Sequence, residues 1–139
     1  MSSDILIDEM KETDRTVMLK WMDDIARKHG VDSGFPGAML PVTGLAARDG
    51  NGRTLAVATL YLEKSSTIAV CGFCVADPAN RFRQSAAAVK LLLSTMPIYA
   101  KRCGAEYLMS VFGRRSLNRI LDQSGFIPGE TAETKFRRL

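Results

Sequence analysis

The chain has 139 residues, 46% of them apolar and 24% charged, with a net charge of +4. That balance matches globular proteins and excludes a disordered, collagen-like or disulfide-stapled chain, while the length suffices for one domain with a sizeable core. No apolar run approaches the roughly 20 residues needed to span a bilayer, so no membrane partner is expected.

The first residues, MSSDILIDEMKETD, are acidic and lack the basic-then-apolar layout of a secretory signal. A cytoplasmic chain with reduced thiols at Cys71, Cys74 and Cys103 is therefore expected. Ile5 to Asp8 reads as a short strand. Glu12 to Lys28 reads as an amphipathic helix, because Val17, Met18, Trp21, Met22 and Ile25 recur at three- and four-residue steps. Asp14 is its expected cap and Gly30 its stop, with His29 a surface residue at the helix end.

Gly30 to Thr43 is rich in Gly and Pro and reads as a loop, with Phe35 and Met39 placed either to line a cleft or to tack the loop to the core. Gly44 to Arg48 and Thr54 to Glu63 flank Asp49-Gly50-Asn51-Gly52, a strong hairpin signal. Thr67 to Val75, TIAVCGFCV, is apolar almost throughout and predicts a strand covered on both faces.

Gln84 to Arg102 carries a helical pattern closed by Cys103-Gly104, with Pro97 expected to kink it or split it in two. Ala105 to Phe112 predicts a strand and Ser116 to Gln123 a short helix. Phe126-Ile127 and Thr134 to Arg138 are read as the last strands. The sum is one α/β (α+β) domain over residues 1–139, with a mixed, mostly antiparallel central sheet and helices on both faces.

Cys71 and Cys74 have CxxC spacing, but strand residues three apart should face opposite sides of a sheet. There is no second CxxC and His29 is the only histidine, so buried structural cysteines are expected rather than a metal site, which needs four ligands. The late basic residues Lys101, Arg102, Arg114, Arg115, Arg119, Lys135, Arg137 and Arg138 create a field for anions. Phe136 alone lies directly between two of them, fewer than the series of stacking aromatics a single-strand nucleic-acid platform requires, so nucleic acid is not the expected partner.

From Leu55 to Ile127 the order of elements resembles the acyl-CoA N-acyltransferase (GNAT) fold. In that family a (Q/R)-x-x-G-x-(G/A) loop follows the fourth strand and holds the coenzyme A pyrophosphate on backbone N–H groups at a helix N-terminus. Here Arg81 falls on the Gln/Arg position and Ala86 on the final small residue, while Gln84 replaces the central glycine. The family's N-x-x-A-x-x-x-Y-x-x-x-G-F motif has its closing Gly-Phe at Gly125-Phe126, with Leu121 in place of the tyrosine that serves as general acid and Arg114 in place of the asparagine.

The resemblance implies an N-acetyltransferase that takes acetyl-CoA as cosubstrate and moves its acetyl group to a primary amine, small-molecule or protein. It implies cofactor contacts at Cys74, Val75, Ala76, Arg81, Phe82, Arg83, Gln84, Ser85 and Ala86. Glu63 and Asp77, at the ends of the third and fourth strands, are the candidate general bases. A homodimer is frequent in the fold. The alternative is a catalytically inactive binding or assembly module, since the chain is also similar to GNAT-like proteins of bacteriophages, some linked to the virion.

Overall fold

The computed structural model describes residues 4–30, 37–110, 112, 115–129 and 137. Strand β1 (Leu6–Glu9) leads into helix α1 (Glu12–Lys28), and a 3-10 turn at Gly37–Met39 precedes β2 (Gly44–Arg48), β3 (Thr54–Leu62) and β4 (Ile68–Ala76). Helix α2 (Phe82–Arg102), strand β5 (Tyr107–Ser110) and helix α3 (Arg115–Gln123) complete the order. The five strands lie side by side in chain order; β1 to β4 pair antiparallel and β4 pairs parallel with β5. The mixed, mostly antiparallel sheet between helices agrees with the expected fold class. Among the described residues no helix is long and apolar enough to cross a membrane.

Alternation along the strands sorts the side chains into two cores. Ala46 and Val57, which face each other across β2 and β3, pack with Met18, Trp21, Met10 and Leu40 under α1. Leu45, Ala47, Ala56, Ala58, Leu60 and Ala69 point the other way, toward Ala88, Val89, Leu92, Leu93 and Met96 of α2 and Leu121 of α3. The run of alanines under α2 leaves room for that helix to lie close to the sheet. Burying Leu55, Leu60, Leu92 and Leu93 fully is worth about 2–3 kcal/mol each, which makes this face the main source of apolar stabilisation.

Three sequence expectations need correction. Helix α2 starts two residues earlier than predicted and is not split by Pro97, which sits inside one continuous 21-residue element. Proline removes one N–H but cannot undo a helix whose Leu92, Leu93, Met96 and Ala100 are all buried on one face. Asp14 is not the cap of α1: Lys11 occupies that position, and Asp14 is the third helical residue. Phe126-Ile127 form no strand; the backbone turns at Gly125 (φ +89°) and Phe126 N donates to the Leu121 carbonyl. Apart from Arg137, the expected strand at 134–138 lies outside the described residues, as does Phe35.

Asp14 carries the one large polar commitment of the α1 face. Its carboxylate is 2% exposed and accepts four hydrogen bonds. Arg48 Nη1 donates to Oδ1 at 2.7 Å and Nη2 to Oδ2 at 2.8 Å; Thr54 Oγ1 donates to Oδ1 at 2.8 Å and Lys11 N to Oδ2 at 2.8 Å. A buried carboxylate is costly unless its lone pairs are filled, and here they are. The bidentate Arg48 also reaches Asp8 through Nε at 3.3 Å, so one guanidinium ties β1, β2 and α1. Burial by itself pushes the Asp14 carboxyl up, but the hydrogen bonds from Arg48, Lys11 and Thr54 outweigh it and hold it below its ordinary value of 3.8.

Replacing Asp14 with Asn leaves the Arg48 charge only its longer contact with Asp8 and should destabilise the fold by about 3 kcal/mol in urea unfolding at neutral pH. Because the folded carboxyl is the stronger acid, its contribution is complete above 3.8 and is lost as pH falls through the lower folded value. Acidification below 3.8 should therefore narrow the gap between wild type and Asp14→Asn. A second substitution probes the sheet: a Cβ at Gly44 would stand 2.3 Å from the Ala58 carbonyl oxygen. Backbone cannot yield as a side chain can, so Gly44→Ala should cost about 2–3 kcal/mol, read as a lower urea midpoint with unchanged m-value.

Candidate functional site: the opening beside β4 and the start of α2

β4 has β3 as a neighbour along its whole length but β5 for only part of it. The parallel rungs run Ile68–Tyr107, Ala69–Leu108, Val70–Met109 and Cys71–Ser110 and then stop. Gly72 to Ala76 continue with β3 as the sole strand partner among the described residues, and Phe112, past the end of β5, is no longer in a strand. Alternate N–H and C=O groups on the open side of Gly72–Ala76 thus have no ladder to join. The stretch Cys74, Val75 and Ala76 borders this opening.

A β-bulge sits at the same place. Ala58 pairs with Cys74 and Leu60 with Cys71, so two steps on β3 answer three on β4. The extra residue overturns the expectation that the two cysteines face opposite sides, because Ala58 and Leu60 share a face and their partners therefore do too. Cys71 is buried in the α2-side core and Cys74 packs against that same core. Burial pushes the Cys71 thiol up to about 12, and it pushes Cys74 up as well, with Cys71 adding to the effect. Gly72, inside the bulge, sits against Tyr61: a Cβ there would lie 2.6 Å from the ring, which would have to shift. Tyr61 in turn donates its hydroxyl to the Met39 carbonyl at 2.7 Å, anchoring the turn after α1. Met39 thus tacks that turn to the sheet.

At the far end of β4 the chain makes a tight, internally bonded loop. Asp77 N donates to the Leu55 carbonyl at 2.9 Å, Asn80 N to the Asp77 carbonyl at 3.0 Å, and Ala79 N to Asp77 Oδ1 at 2.9 Å. Asn80 Nδ2 bonds the Leu55 carbonyl at 2.9 Å. Arg53 closes over this loop: Nη1 donates to Asp77 Oδ2 at 3.0 Å, and Nη2 to Asn80 Oδ1 at 3.0 Å and, more weakly, to Gln84 Oε1 at 3.4 Å. Sequence reading missed Arg53. Its position was nonetheless implied, since an antiparallel hairpin brings the residue before β3 beside the residue after β4.

α2 then begins with Arg81 as its cap residue, and no side chain caps the helix. The N–H groups of Phe82, Arg83 and Gln84 are the donors that a helix start leaves without intrahelical partners, and no acidic residue in the first turn answers them. Arg81, Phe82 and Arg83 are exposed, Phe82 at 87%, and add two cations to the positive helix end. Gln84 stands where the resemblance calls for glycine, but it is helical, and no non-glycine described residue has positive φ. The missing glycine therefore costs no backbone strain here. Ser85 N already bonds the Arg81 carbonyl and so belongs to the helix ladder; Ala86 is exposed one residue further on.

Cys74, Val75 and Ala76 thus end β4, and Arg81 to Ala86 open α2 across the Asp77–Asn80 loop. Glu63 and Asp77 are not brought together. Glu63 follows the last residue of β3, near the opposite end of β4, and its carboxylate accepts from Ser65 N at 2.9 Å and Ser65 Oγ at 2.8 Å; those bonds hold it below the usual carboxylate range. Both Asp77 oxygens are committed to the loop. Leu121 is buried in the α2-side core and carries no donor. Among the described residues no cluster of His, Cys, Asp or Glu could hold a metal ion.

No family model matches the sequence, and no curated protein matches it. Solved structures do match in three dimensions. The chain superposes on an aminoglycoside acetyltransferase from an uncultured soil metagenomic sample, in complex with sisomicin, at TM-score 0.64 and 11% identity, covering 97% of this chain and 96% of that one. The aminoglycoside N-acetyltransferase AAC(6')-Iy in complex with CoA gives TM-score 0.62 and 15% identity, with 96% and 100% covered. A transcriptional regulator from Bacillus halodurans gives TM-score 0.64 and 18% identity over 96% and 100%. The chain has the GNAT fold. Its divergence lies in sequence, while the β4–β5 opening and the helix that follows β4 keep the architecture expected of that fold.

The thiol environments give a direct check on the bulge. Exposed Cys103 should react with a disulfide reagent at pH 8, whereas buried Cys71 and half-buried Cys74 should stay protonated and unreactive. Native protein should titrate one thiol per chain, and protein in guanidinium all three.

Proposed function

We propose that this GNAT-fold chain is an acyl-CoA-dependent N-acetyltransferase that moves an acetyl group to a primary amine, acting as a cytoplasmic protein. The observation that carries the reading is the coincidence of the β4–β5 opening with an uncapped, arginine-bearing helix start. The similarity to acetyltransferases, one of them in complex with CoA, supports it.

In this reading the pyrophosphate of acetyl-CoA sits on the N–H groups of Phe82, Arg83 and Gln84, with Arg81 and Arg83 neutralising its charge. The unpaired edge of Cys74 to Ala76 receives the amides of the pantetheine arm and supplies the N–H that polarises the thioester carbonyl. Catalysis is then mainly alignment of amine and carbonyl, with the oxyanion held by backbone. Asp77 serves the reaction by keeping the loop in shape, and the amine loses its proton to water.

Leu121 favours a second reading. A buried leucine at the position of the expected general acid fits a chain that keeps the ligand-binding frame without acyl transfer, as a binding or assembly module.

Acetyl-CoA added at 100 times its dissociation constant should raise the unfolding free energy by about 2.7 kcal/mol, read as a melting temperature higher by several degrees. Arg81→Ala and Arg83→Ala should each weaken binding by about 3- to 10-fold in calorimetry. An unchanged melting temperature at millimolar acetyl-CoA would leave only the module reading. Binding without acetyl transfer across a panel of primary amines would favour a ligand-binding module over an enzyme.

A further inference from the structure

The two long helices begin differently. At α1 the third helical residue, Asp14, reaches back to the cap residue and accepts from Lys11 N at 2.8 Å, which closes a capping box. At α2 the same two places are held by Gln84 and Arg81. Gln84 is the third helical residue, and the Arg81 backbone is extended (φ −67°, ψ 149°), as a cap residue requires. Glutamine in that place commonly completes the box. Here no side chain caps the helix.

Gln84 is diverted by a residue from across the loop. Its one acceptor, Oε1, takes a bond from Arg53 Nη2 at 3.4 Å, and the residue is half-buried. That bond is long, but Arg53 is anchored independently of it. Nη1 donates to Asp77 Oδ2 and Nη2 to Asn80 Oδ1, both at 3.0 Å, and Nε lies 3.6 Å from Asp49 Oδ2. A carboxylate such as Asp14 has two oxygens and serves an arginine and the cap together, whereas an amide has one. With that oxygen turned to Arg53, Gln84 does not fold across the first turn of α2.

We propose that Arg53 is a positioning residue: by holding the Gln84 side chain off the start of α2, it keeps the N–H groups of Phe82, Arg83 and Gln84 open to the pyrophosphate of the acyl-CoA cosubstrate. The inference rests on the acyl-CoA reading above. It explains how a chain with glutamine in the place of a glycine keeps that end of the helix accessible. Arg53 acts through Gln84 rather than on the ligand. Without it, Gln84 Oε1 accepts from Arg81 N as Asp14 does from Lys11 N, and an anion must displace that bond before it binds. The charge of Arg53 is already answered by Asp77 and Asp49, so its loss is felt mainly through Gln84.

The test is a double-mutant cycle titrated calorimetrically with CoA: wild type, Arg53→Ala, Gln84→Ala and the double variant. Arg53→Ala should weaken CoA binding by about 3- to 10-fold when Gln84 is present, and by less than about 2-fold in the Gln84→Ala background. A loop merely loosened, or a cation merely removed, would weaken binding equally in both backgrounds. Hydrogen exchange without ligand gives a second measurement, and it decides the case where Gln84→Ala itself binds too weakly to titrate. The Arg81 amide should exchange about 3- to 10-fold more slowly in Arg53→Ala than in wild type, and no more slowly in the double variant. Equal losses of affinity in both backgrounds, or an Arg81 amide that exchanges as fast in Arg53→Ala as in wild type, would overturn the role of Arg53 and leave the acyl-CoA reading standing. If CoA does not bind wild type, the acyl-CoA reading falls, and this inference with it.

Discussion

The arrangement of the site depends on β4 having two neighbours at its start and one at its end. Up to Cys71 the strand is hydrogen-bonded on both sides; from Gly72 onward its open edge needs another partner. Unpaired strand edges are usually blunted by charge, proline or a covering element. Here the bulge twists the strand at the point of separation, and the loop after it turns directly into α2. The same local event therefore creates a polar edge and delivers a helix start beside it.

The two helical layers hold this geometry by different means. Under α2 and α3 the contact is almost wholly apolar, with alanines on the sheet admitting leucines and a methionine from the helix. Under α1 the apolar contacts are joined by the Asp14–Arg48–Thr54 cluster, which is directional and admits one register. Apolar packing tolerates small slides, whereas a bidentate pair does not. The α1 layer is thus fixed more specifically than its area alone would require. Replacing such a pair with hydrophobic residues is often neutral for stability in other proteins, which puts its value here in orientation.

Much of this was legible in the sequence. The apolar run TIAVCGFCV signalled an inner strand, Asp49 to Gly52 signalled the hairpin, and the periodicities of α1 and α2 placed both helices. What escaped was determined by contacts distant in the chain. Asp14 looks like a helix cap because capping depends on local sequence, while its Arg48 partner is 34 positions away. Pro97 looks like a break because propensity is local, while the buried face that overrides it belongs to the tertiary structure. The bulge left no mark beyond Gly72, so a strict two-residue alternation set Cys74 on the wrong face. Arg53 could be placed only once the hairpin register was known.

The clasp of Arg53 over Asp77, Asn80 and Gln84 would have a consequence for an anion arriving at the helix start, as the proposed function requires. Glycine-rich phosphate loops gain close approach at the cost of backbone freedom that must be given up when the ligand arrives. In this chain the loop is already ordered by its own side chains, so little conformational entropy remains to be lost on association. Tight anion capture and a rigid, glycine-free loop are thus compatible, with the rigidity set during folding.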